Sequence, residues 1–227
     1  WNFTPDWKKE ALEVEVDRYE SFPHGRLEAV LGIDIGSTST KAVLIDRQGE
    51  PLAGFYTRTA GQPLDAVRSM FQAIETLCDR HGTSLSILGA ATTGSGRKFI
   101  GQVIGADLIL DEISAHARAA VALNPELDTI IEIGGQDAKF TTLKNGVVTF
   151  SKMNTVCAAG TGSFIEEQSQ KLGVSLADYA SLAMGVRAPR ASDRCTVFME
   201  RDINHYLARG CSTSEILAAV LFAVREN

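Results

Sequence analysis

Residues 29–36 read Ala-Val-Leu-Gly-Ile-Asp-Ile-Gly, a nearly continuous apolar run that ends in an aspartate and a glycine. Such a run, followed directly by polar turn residues, is typical of a buried strand. After the turn at 37–40, a second strand is predicted over residues 42–45, and a third over residues 53–57. Three strands joined by tight turns predict an antiparallel meander whose first turn is rich in glycine and hydroxyl side chains.

The same order of elements returns near Pro125. A strand over residues 129–133 ends in Gly134-Gly135, and two further strands flank Asn145-Gly146, a strong signal for a type I′ hairpin. Elsewhere the apolar periodicity predicts strands at 87–91 and 108–110, and helices at 63–77, 97–104, 113–123, 162–172, 197–207 and from 214 onward. This weak internal repeat of about a hundred residues predicts an α/β protein with two related domains. A leading segment is expected at 1–28, a first domain at 29–125 and a second at 126–227, with the second short by at least one strand.

The first predicted helix begins at Pro63 and has a clear apolar face. That face is predicted to contain Leu64, Val67, Phe71, Ile74 and Leu77, which recur at helical spacing. Cys78 adjoins this face, so we expect a buried thiol whose only role is packing.

The composition limits the classes of partner. The chain has 227 residues, of which 44% are hydrophobic and 22% charged, and its formal net charge is −6. A negative charge argues against nucleic acid and against an anionic membrane surface, because both need a basic patch. No apolar run approaches the roughly 20 residues of a membrane helix, and four cysteines do not form a disulfide scaffold at this size. We therefore expect a cytoplasmic protein with no nucleic-acid and no membrane partner.

Two glycine turns carry the first chemical signal. They read Ile-Asp-Ile-Gly-Ser-Thr-Ser-Thr-Lys at 33–41 and Ile-Glu-Ile-Gly-Gly-Gln-Asp-Ala-Lys at 131–139. Glycine lets the backbone approach a ligand closely, and successive backbone N–H groups in such a turn bind anions. The side chains suited to contact phosphate, Mg²⁺ or a water molecule are Asp34, Ser37, Thr38, Thr40 and Asp137. One such turn is better explained as a purely structural turn, but two matched turns predict a phosphate site. The P-loop and Rossmann glycine motifs do not occur in the sequence.

Two cysteines carry the second signal, since Cys157 and Cys195 each lie just before a predicted helix. A helix N-terminus favours a thiolate through its dipole, and it favours an anionic iron–sulfur cluster in the same way. Two cysteines cannot complete a four-thiolate site, but a twofold-symmetric dimer supplies two more. Inert buried cysteines, a disulfide and a zinc site shared between subunits fit the same spacing.

These segments resemble known proteins at two levels. The glycine turns look like the two phosphate motifs of the ASKHA superfamily (acetate and sugar kinases, heat-shock chaperones and actin), whose two ribonuclease-H-like domains close on ATP. Cys-Ala-Ala-Gly-Thr-Gly at 157–162 and Cys-Thr-Val-Phe at 195–198 are similar to the activators of 2-hydroxyacyl-CoA dehydratases. They are equally similar to the matching subunits of ATP-dependent benzoyl-CoA reductase. Segments at 92–97 and 112–117 also match, so the resemblance covers about residues 31–225.

The resemblance implies a function and a set of site residues. It implies an ATPase that passes a low-potential electron to a CoA-ester dehydratase or reductase, with ferredoxin or flavodoxin as electron donor. It further implies a homodimer bridged by one [4Fe–4S] cluster, which Cys157 and Cys195 of each subunit hold. Asp34 and Asp137 are expected to be the catalytic carboxylates that position metal and water. The residues expected to contact ATP or ADP with Mg²⁺ are Gly36, Ser37, Thr38, Thr40, Lys41, Gly134, Gly135 and Gln136.

Three other residues have simpler explanations. Lys41 is equally well explained as a solvated strand residue. His116 is expected to be a structural histidine with satisfied hydrogen bonds, and Cys211 is expected to have no role at a cluster.

The sequence also departs from the family pattern. Family members continue for some tens of residues with a Gly-Gly strand–turn that closes over adenosine, and the leading segment 1–28 has no counterpart in stand-alone activators. We therefore expect a domain cut from a longer fusion protein, with the second domain incomplete at its C-terminal end. Two rival functions remain open: a small-molecule kinase, such as an N-acetylhexosamine kinase, and a nucleotide-dependent binding module without useful turnover.

Overall fold

The computed structural model describes residues 12–19, 22–154, 161–193 and 195–226. The chain divides into two compact units, Trp1–Ala115 and His116–Asn227. Each unit contains both a β-sheet and helices, so the predicted α/β class is confirmed. The assignment to two ribonuclease-H-like domains and the domain boundaries given above stay predictions.

The first unit is built on a six-stranded sheet. Its strands are β1 (Glu15–Arg18), β2 (Gly25–Ile35), β3 (Ser39–Ile45), β4 (Pro51–Arg58), β5 (Thr83–Thr93) and β6 (Leu108–Ile109). Its helices are α1 (Pro63–His81), α2 (Arg97–Ile104) and the start of α3 (Glu112–Leu123). The strand order is β1-β4-β3-β2-β5-β6; β2, β3 and β4 form the predicted antiparallel meander, and β5 runs parallel to β2. The central strand β2 therefore ends at the first glycine turn.

The core of this unit lies between the sheet and its helices. Ile35, Leu44, Met70 and Ile100 are fully buried there. The predicted face of α1 is correct at Val67, Ile74 and Leu77, but Leu64 is 47% exposed. Leu64 lies roughly a quarter turn around the helix from the buried stripe that runs through Met70 and Ile74, because each residue advances about 100°. Cys78 is buried as predicted. Burial raises the pKa of its thiol, and the neighbouring carboxylates of Asp79 and Glu75 raise it further.

Part of the leading segment belongs to the first sheet. β1 pairs with β4, and Phe22 and Leu27 are buried in the core. The central strand β2 begins at Gly25, earlier than the predicted start at residue 29. The backbone N–H of Leu12 donates to Ser69 Oγ of α1 at 2.9 Å. The charged pattern of β1 hid this strand from sequence reasoning, although charges are common on edge strands, where they discourage further pairing.

The second unit combines a three-stranded antiparallel sheet with a helical layer. Strands β7 (Thr129–Ile133), β8 (Ala138–Lys144) and β9 (Val147–Met153) follow one another in the sheet. Asn145 and Gly146 have φ values of 52° and 74°, as a type I′ turn requires. The predicted repeat of strand, glycine turn, strand, turn and strand is therefore confirmed.

The helices of the second unit are α4 (Gly162–Lys171), α5 (Leu176–Ala183), α6 (Thr196–Ala208) and α7 (Thr213–Glu226). α7 is the most deeply buried: Ile216, Leu217 and Val220 are inaccessible to solvent. Sequence reasoning missed α5, although Ser175 caps it by accepting a hydrogen bond from the backbone N–H of Asp178 at 3.2 Å. Within the described ranges, no helix combines the length and apolar character needed to cross a membrane.

Candidate functional site

The first glycine turn connects β2 to β3 and is closed by one backbone hydrogen bond. The N–H of Gly36 donates to the carbonyl oxygen of Ser39 at 3.0 Å. A Cβ on Gly36 would lie 2.8 Å from that same oxygen, so the tight turn needs glycine here. Ser37 is exposed at the tip and Thr38 is half-buried, which leaves these two predicted phosphate-contacting residues on the accessible side of the turn.

Thr59 fixes the first glycine turn from beneath. Its hydroxyl donates to the carbonyl oxygen of Gly36 at 2.7 Å, and its N–H donates to the carbonyl oxygen of Thr38 at 2.9 Å. Thr40 is fully buried, and its Oγ1 lies 2.9 Å from Thr59 Oγ1. Since the single hydroxyl proton of Thr59 goes to Gly36, Thr40 is the donor in this pair. The Thr40 hydroxyl therefore supports the turn from inside the core.

A second glycine loop, 94–96, packs against the end of β2. Gly94 has a φ of +88°, and a Cβ there would lie 2.5 Å from both Asp34 Oδ1 and the carbonyl oxygen of Ile35. The N–H of Gly96 donates to that carbonyl oxygen at 2.9 Å and caps the start of α2. Sequence reasoning quoted this segment only as a matching motif and assigned it no contact. The signal was present in the sequence as two glycines directly before a helix.

Asp34 forms an ion pair with Lys41 across the hairpin. The two residues are directly opposite each other in the register of β2 and β3, and Lys41 Nζ lies 3.3 Å from Asp34 Oδ2. The Lys41 side chain is 47% exposed, so the pair contributes little to stability. Both charged groups remain accessible from the open side of the turn.

The second glycine turn connects β7 to β8 and repeats the first in detail. The N–H of Gly134 donates to the carbonyl oxygen of Asp137 at 2.8 Å, as Gly36 does to Ser39. A helix start again packs against the turn: the N–H of Gly162, the first residue of α4, donates to the carbonyl oxygen of Gly134 at 2.8 Å. The next N–H, that of Ser163, donates to Gly135 at 3.1 Å. Gln136 is exposed at the tip.

The charged groups of the second turn form a larger network. Lys139 Nζ lies 2.9 Å from Asp137 Oδ1 and 3.3 Å from Glu132 Oε1, and the lysine side chain is only 6% exposed. The other oxygen of Glu132 is 2.6 Å from Nδ1 of His116 on α3. Burial favours a neutral Glu132, but the hydrogen bond and charge of His116 and the charge of Lys139 outweigh it, so the pKa of Glu132 lies below its usual value. Sequence reasoning missed Glu132 and assigned His116 no function.

The structure describes only one of the two predicted cluster cysteines. Cys195 is half-buried, carries a free thiol and is the N-cap of α6. The first turn of α6 contains no acidic residue, and its Val197 and Phe198 are exposed. Cys157 lies in the segment 155–160, outside the described residues. Among the residues that are described, no group of three or more His, Cys, Asp or Glu side chains is arranged to hold a metal ion.

Side chains of α6 hold the chain segment that leads to Cys195. Asp202 Oδ2 accepts a hydrogen bond from the N–H of Ser192 at 3.0 Å, and the Tyr206 hydroxyl donates to the carbonyl oxygen of Arg190 at 2.7 Å. Cys211 packs against the helical core of this unit instead, consistent with its predicted lack of a cluster role.

The arrangement suits two kinds of chemistry. Each glycine turn presents backbone and hydroxyl or amide groups beside a carboxylate–lysine pair, which is a donor set for phosphate oxygens and a hydrated divalent cation. Cys195 at a helix N-terminus offers one soft ligand whose thiolate the helix dipole stabilises. The residues present therefore fit both a nucleotide with Mg²⁺ and an anionic iron–sulfur cluster completed by other chains or segments.

The sequence matches a known protein family over most of its length. The profile of the BadF/BadG/BcrA/BcrD ATPase family matches residues 31–227. The (R)-2-hydroxyglutaryl-CoA dehydratase activating ATPase of Acidaminococcus fermentans is 32% identical over 191 residues, which are 84% of this chain and 72% of that protein. One of the benzoyl-CoA reductase polypeptides of Thauera aromatica is 29% identical over 195 residues, covering 83% of this chain and 67% of that polypeptide.

Solved structures of such proteins share the fold. The crystal structure of component A of the Acidaminococcus fermentans (R)-2-hydroxyglutaryl-CoA dehydratase matches with a TM-score of 0.75 at 31% identity, over 87% of this chain and 75% of that one. The activator of 2-hydroxyisocaproyl-CoA dehydratase from Clostridium difficile, solved with bound ADPNP, matches with a TM-score of 0.73 at 30% identity, over 87% of this chain and 72% of that one.

Proposed function

This chain belongs to the BadF/BadG/BcrA/BcrD ATPase family, and from that premise we propose that it is an ATP-hydrolysing activator of a CoA-ester enzyme. It would deliver a low-potential electron to a 2-hydroxyacyl-CoA dehydratase or a reductase of the benzoyl-CoA type, in the cytoplasm. The observation that carries the proposal is the pair of glycine turns, each closed by the same backbone hydrogen bond and each beside a carboxylate–lysine pair. The two relatives named above are themselves an activating ATPase and a part of a reductase.

We assign the nucleotide chemistry to residues of the two turns. Backbone groups of Gly36, Gly134 and Gly135 and the side chains of Ser37, Thr38, Lys41 and Gln136 bind phosphate oxygens of ATP or ADP. Thr40 acts indirectly, since its hydroxyl supports the first turn from the core. Asp34 and Asp137 hold hydrated Mg²⁺ or orient the attacking water, and bound Mg²⁺ supplies the charge neutralisation that phosphoryl transfer needs. A relative with bound ADPNP supports this assignment.

We assign the electron chemistry to the cysteines. A [4Fe–4S] cluster needs four thiolates, so Cys157 and Cys195 from each of two subunits would complete one site in a homodimer. The exposed Val197 and Phe198 beside Cys195 support an apolar contact with a second subunit at this place. When bound, the cluster supplies one low-potential electron, which ferredoxin or flavodoxin restores. Asp202 and Tyr206 orient the chain that presents Cys195.

Phosphate release from Mg-ATP, measured with and without N-acetylhexosamines, tests this function against its rivals. We expect release of inorganic phosphate to water, unchanged by the sugar and with no sugar phosphate formed, because the proposal requires no second substrate for the phosphoryl group. Formation of a sugar phosphate would support the kinase. Tight ATP binding with no turnover, in the presence of a reductant and an acceptor enzyme, would support the binding module.

A further inference from the structure

Four charged or titratable side chains join helix α3 to the second glycine turn. His116 on α3 contacts Glu132 on β7, Glu132 contacts Lys139 on β8, and Lys139 contacts Asp137 in the turn. The three contacts measure 2.6, 3.3 and 2.9 Å, so each lies within ion-pair distance. Every member of this chain of contacts belongs to the second unit.

The first glycine turn provides a built-in comparison. Glu132 and Lys139 are paired in the register of β7 and β8 as Asp34 and Lys41 are in β2 and β3. Asp137 closes its turn through the same backbone bond as Ser39, so the residue that carries the extra carboxylate has a neutral counterpart in the first turn. A glycine turn of this shape therefore forms without the additional carboxylate and without the histidine.

Burial distinguishes the two lysines in the same way. The side chain of Lys41 is 47% exposed, whereas that of Lys139 is 6% exposed and lies between two carboxylates. A buried ammonium keeps its charge only where its partners are held in place, because desolvation otherwise outweighs the attraction. Glu132 has one oxygen on Lys139 and the other on His116, so the imidazole fixes the orientation of the carboxylate that the lysine needs.

We propose that His116 is a positioning residue for ATP hydrolysis, acting through Glu132 and Lys139 to hold the Asp137 carboxylate in its reactive orientation. This inference rests on the proposed role of Asp137. It assigns to α3 the task of fixing the second turn, and it gives His116 a role beyond a satisfied structural histidine. The geometry requires a donor at the Nδ1 position of the ring, since Nδ1 is the atom that meets Glu132.

Steady-state ATP hydrolysis by three variants of the full chain tests the proposal. Asparagine places its amide nitrogen where Nδ1 stands, whereas glutamine places its amide nitrogen nearer the position of Nε2. We expect His116→Ala and His116→Gln to lower kcat about tenfold, with KM for ATP changed by less than about twofold, and His116→Asn to recover most of the loss. His205→Ala, at an exposed histidine of α6, is the matched control and is expected to keep the wild-type kcat.

Three outcomes separate the possible failures. Equal kcat for wild type and His116→Ala would overturn the inference while leaving the ATPase function intact. Equal losses for His116→Asn and His116→Gln would overturn it too, because a purely structural histidine gives no preference for the Nδ1 position; this comparison still decides the matter if His116→Ala does not fold. A wild-type protein that does not hydrolyse ATP would instead contradict the proposed function itself.

Discussion

Replacing Gly94 with alanine is expected to lower the free energy of unfolding of the first unit by about 3 kcal/mol. Two effects add. A non-glycine residue at the left-handed φ of +88° costs about 1 kcal/mol or more. The new Cβ would also lie 2.5 Å from Asp34 Oδ1 and from the carbonyl oxygen of Ile35, and relieving such contacts in a packed site costs about 1–3 kcal/mol.

Gly105→Ala is the matched control for Gly94→Ala. Gly105 also has a positive φ, +67°, but a Cβ there meets no atom within 4 Å. It should therefore show the conformational cost alone, about 1 kcal/mol. Urea unfolding followed by circular dichroism measures both variants. Equal losses of stability would show that loop 94–96 does not press against the end of β2 as described.

Replacing Asp34 with asparagine is expected to lower kcat for ATP hydrolysis by about a hundredfold or more, with little change in stability. Asparagine keeps the size of the side chain and an oxygen that accepts from Lys41, so the hairpin should still fold. It removes the negative charge that we assign to holding Mg²⁺ or orienting water, and losing one such preorganised group typically costs about 10²–10³ in rate.

Glu28→Gln is the matched control for Asp34→Asn. Glu28 lies on the same strand, β2, and pairs with Arg47 at 2.8 Å on the exposed side. Its neutralisation should leave kcat unchanged and alter stability by less than about 1 kcal/mol. If Asp34→Asn hydrolyses ATP at the wild-type rate, Asp34 does not belong to the catalytic site.

Local signals explain which parts of the fold the sequence could predict. The hairpin at Asn145-Gly146 and the helix that begins at Pro63 are specified by residues a few positions apart, whose backbone preferences act whatever the rest of the chain does. The register of Asp34 with Lys41 follows from the same short hairpin. These features were therefore readable without a structure.

The remaining features depend on contacts between distant parts of the chain. Gly94 meets Asp34 only because β5 lies parallel to β2, and His116 meets Glu132 only because α3 packs beside β7. No periodicity or spacing records such contacts. β1 escaped prediction for a related reason, since its charged residues satisfy the needs of a sheet edge and carry no apolar pattern.

The central claim joins ATP hydrolysis to an iron–sulfur cluster held by thiolates at helix starts, and iron analysis tests it most directly. The protein would be reconstituted anaerobically with iron and sulfide, separated from unbound iron, and assayed for iron, acid-labile sulfide and oligomeric state. We predict about four iron and four sulfide per dimer, the content of one [4Fe–4S] cluster, and loss of that iron in Cys195→Ala with the fold retained. A dimer or monomer that binds no iron under these conditions, or that binds it equally well as Cys195→Ala, would contradict the account.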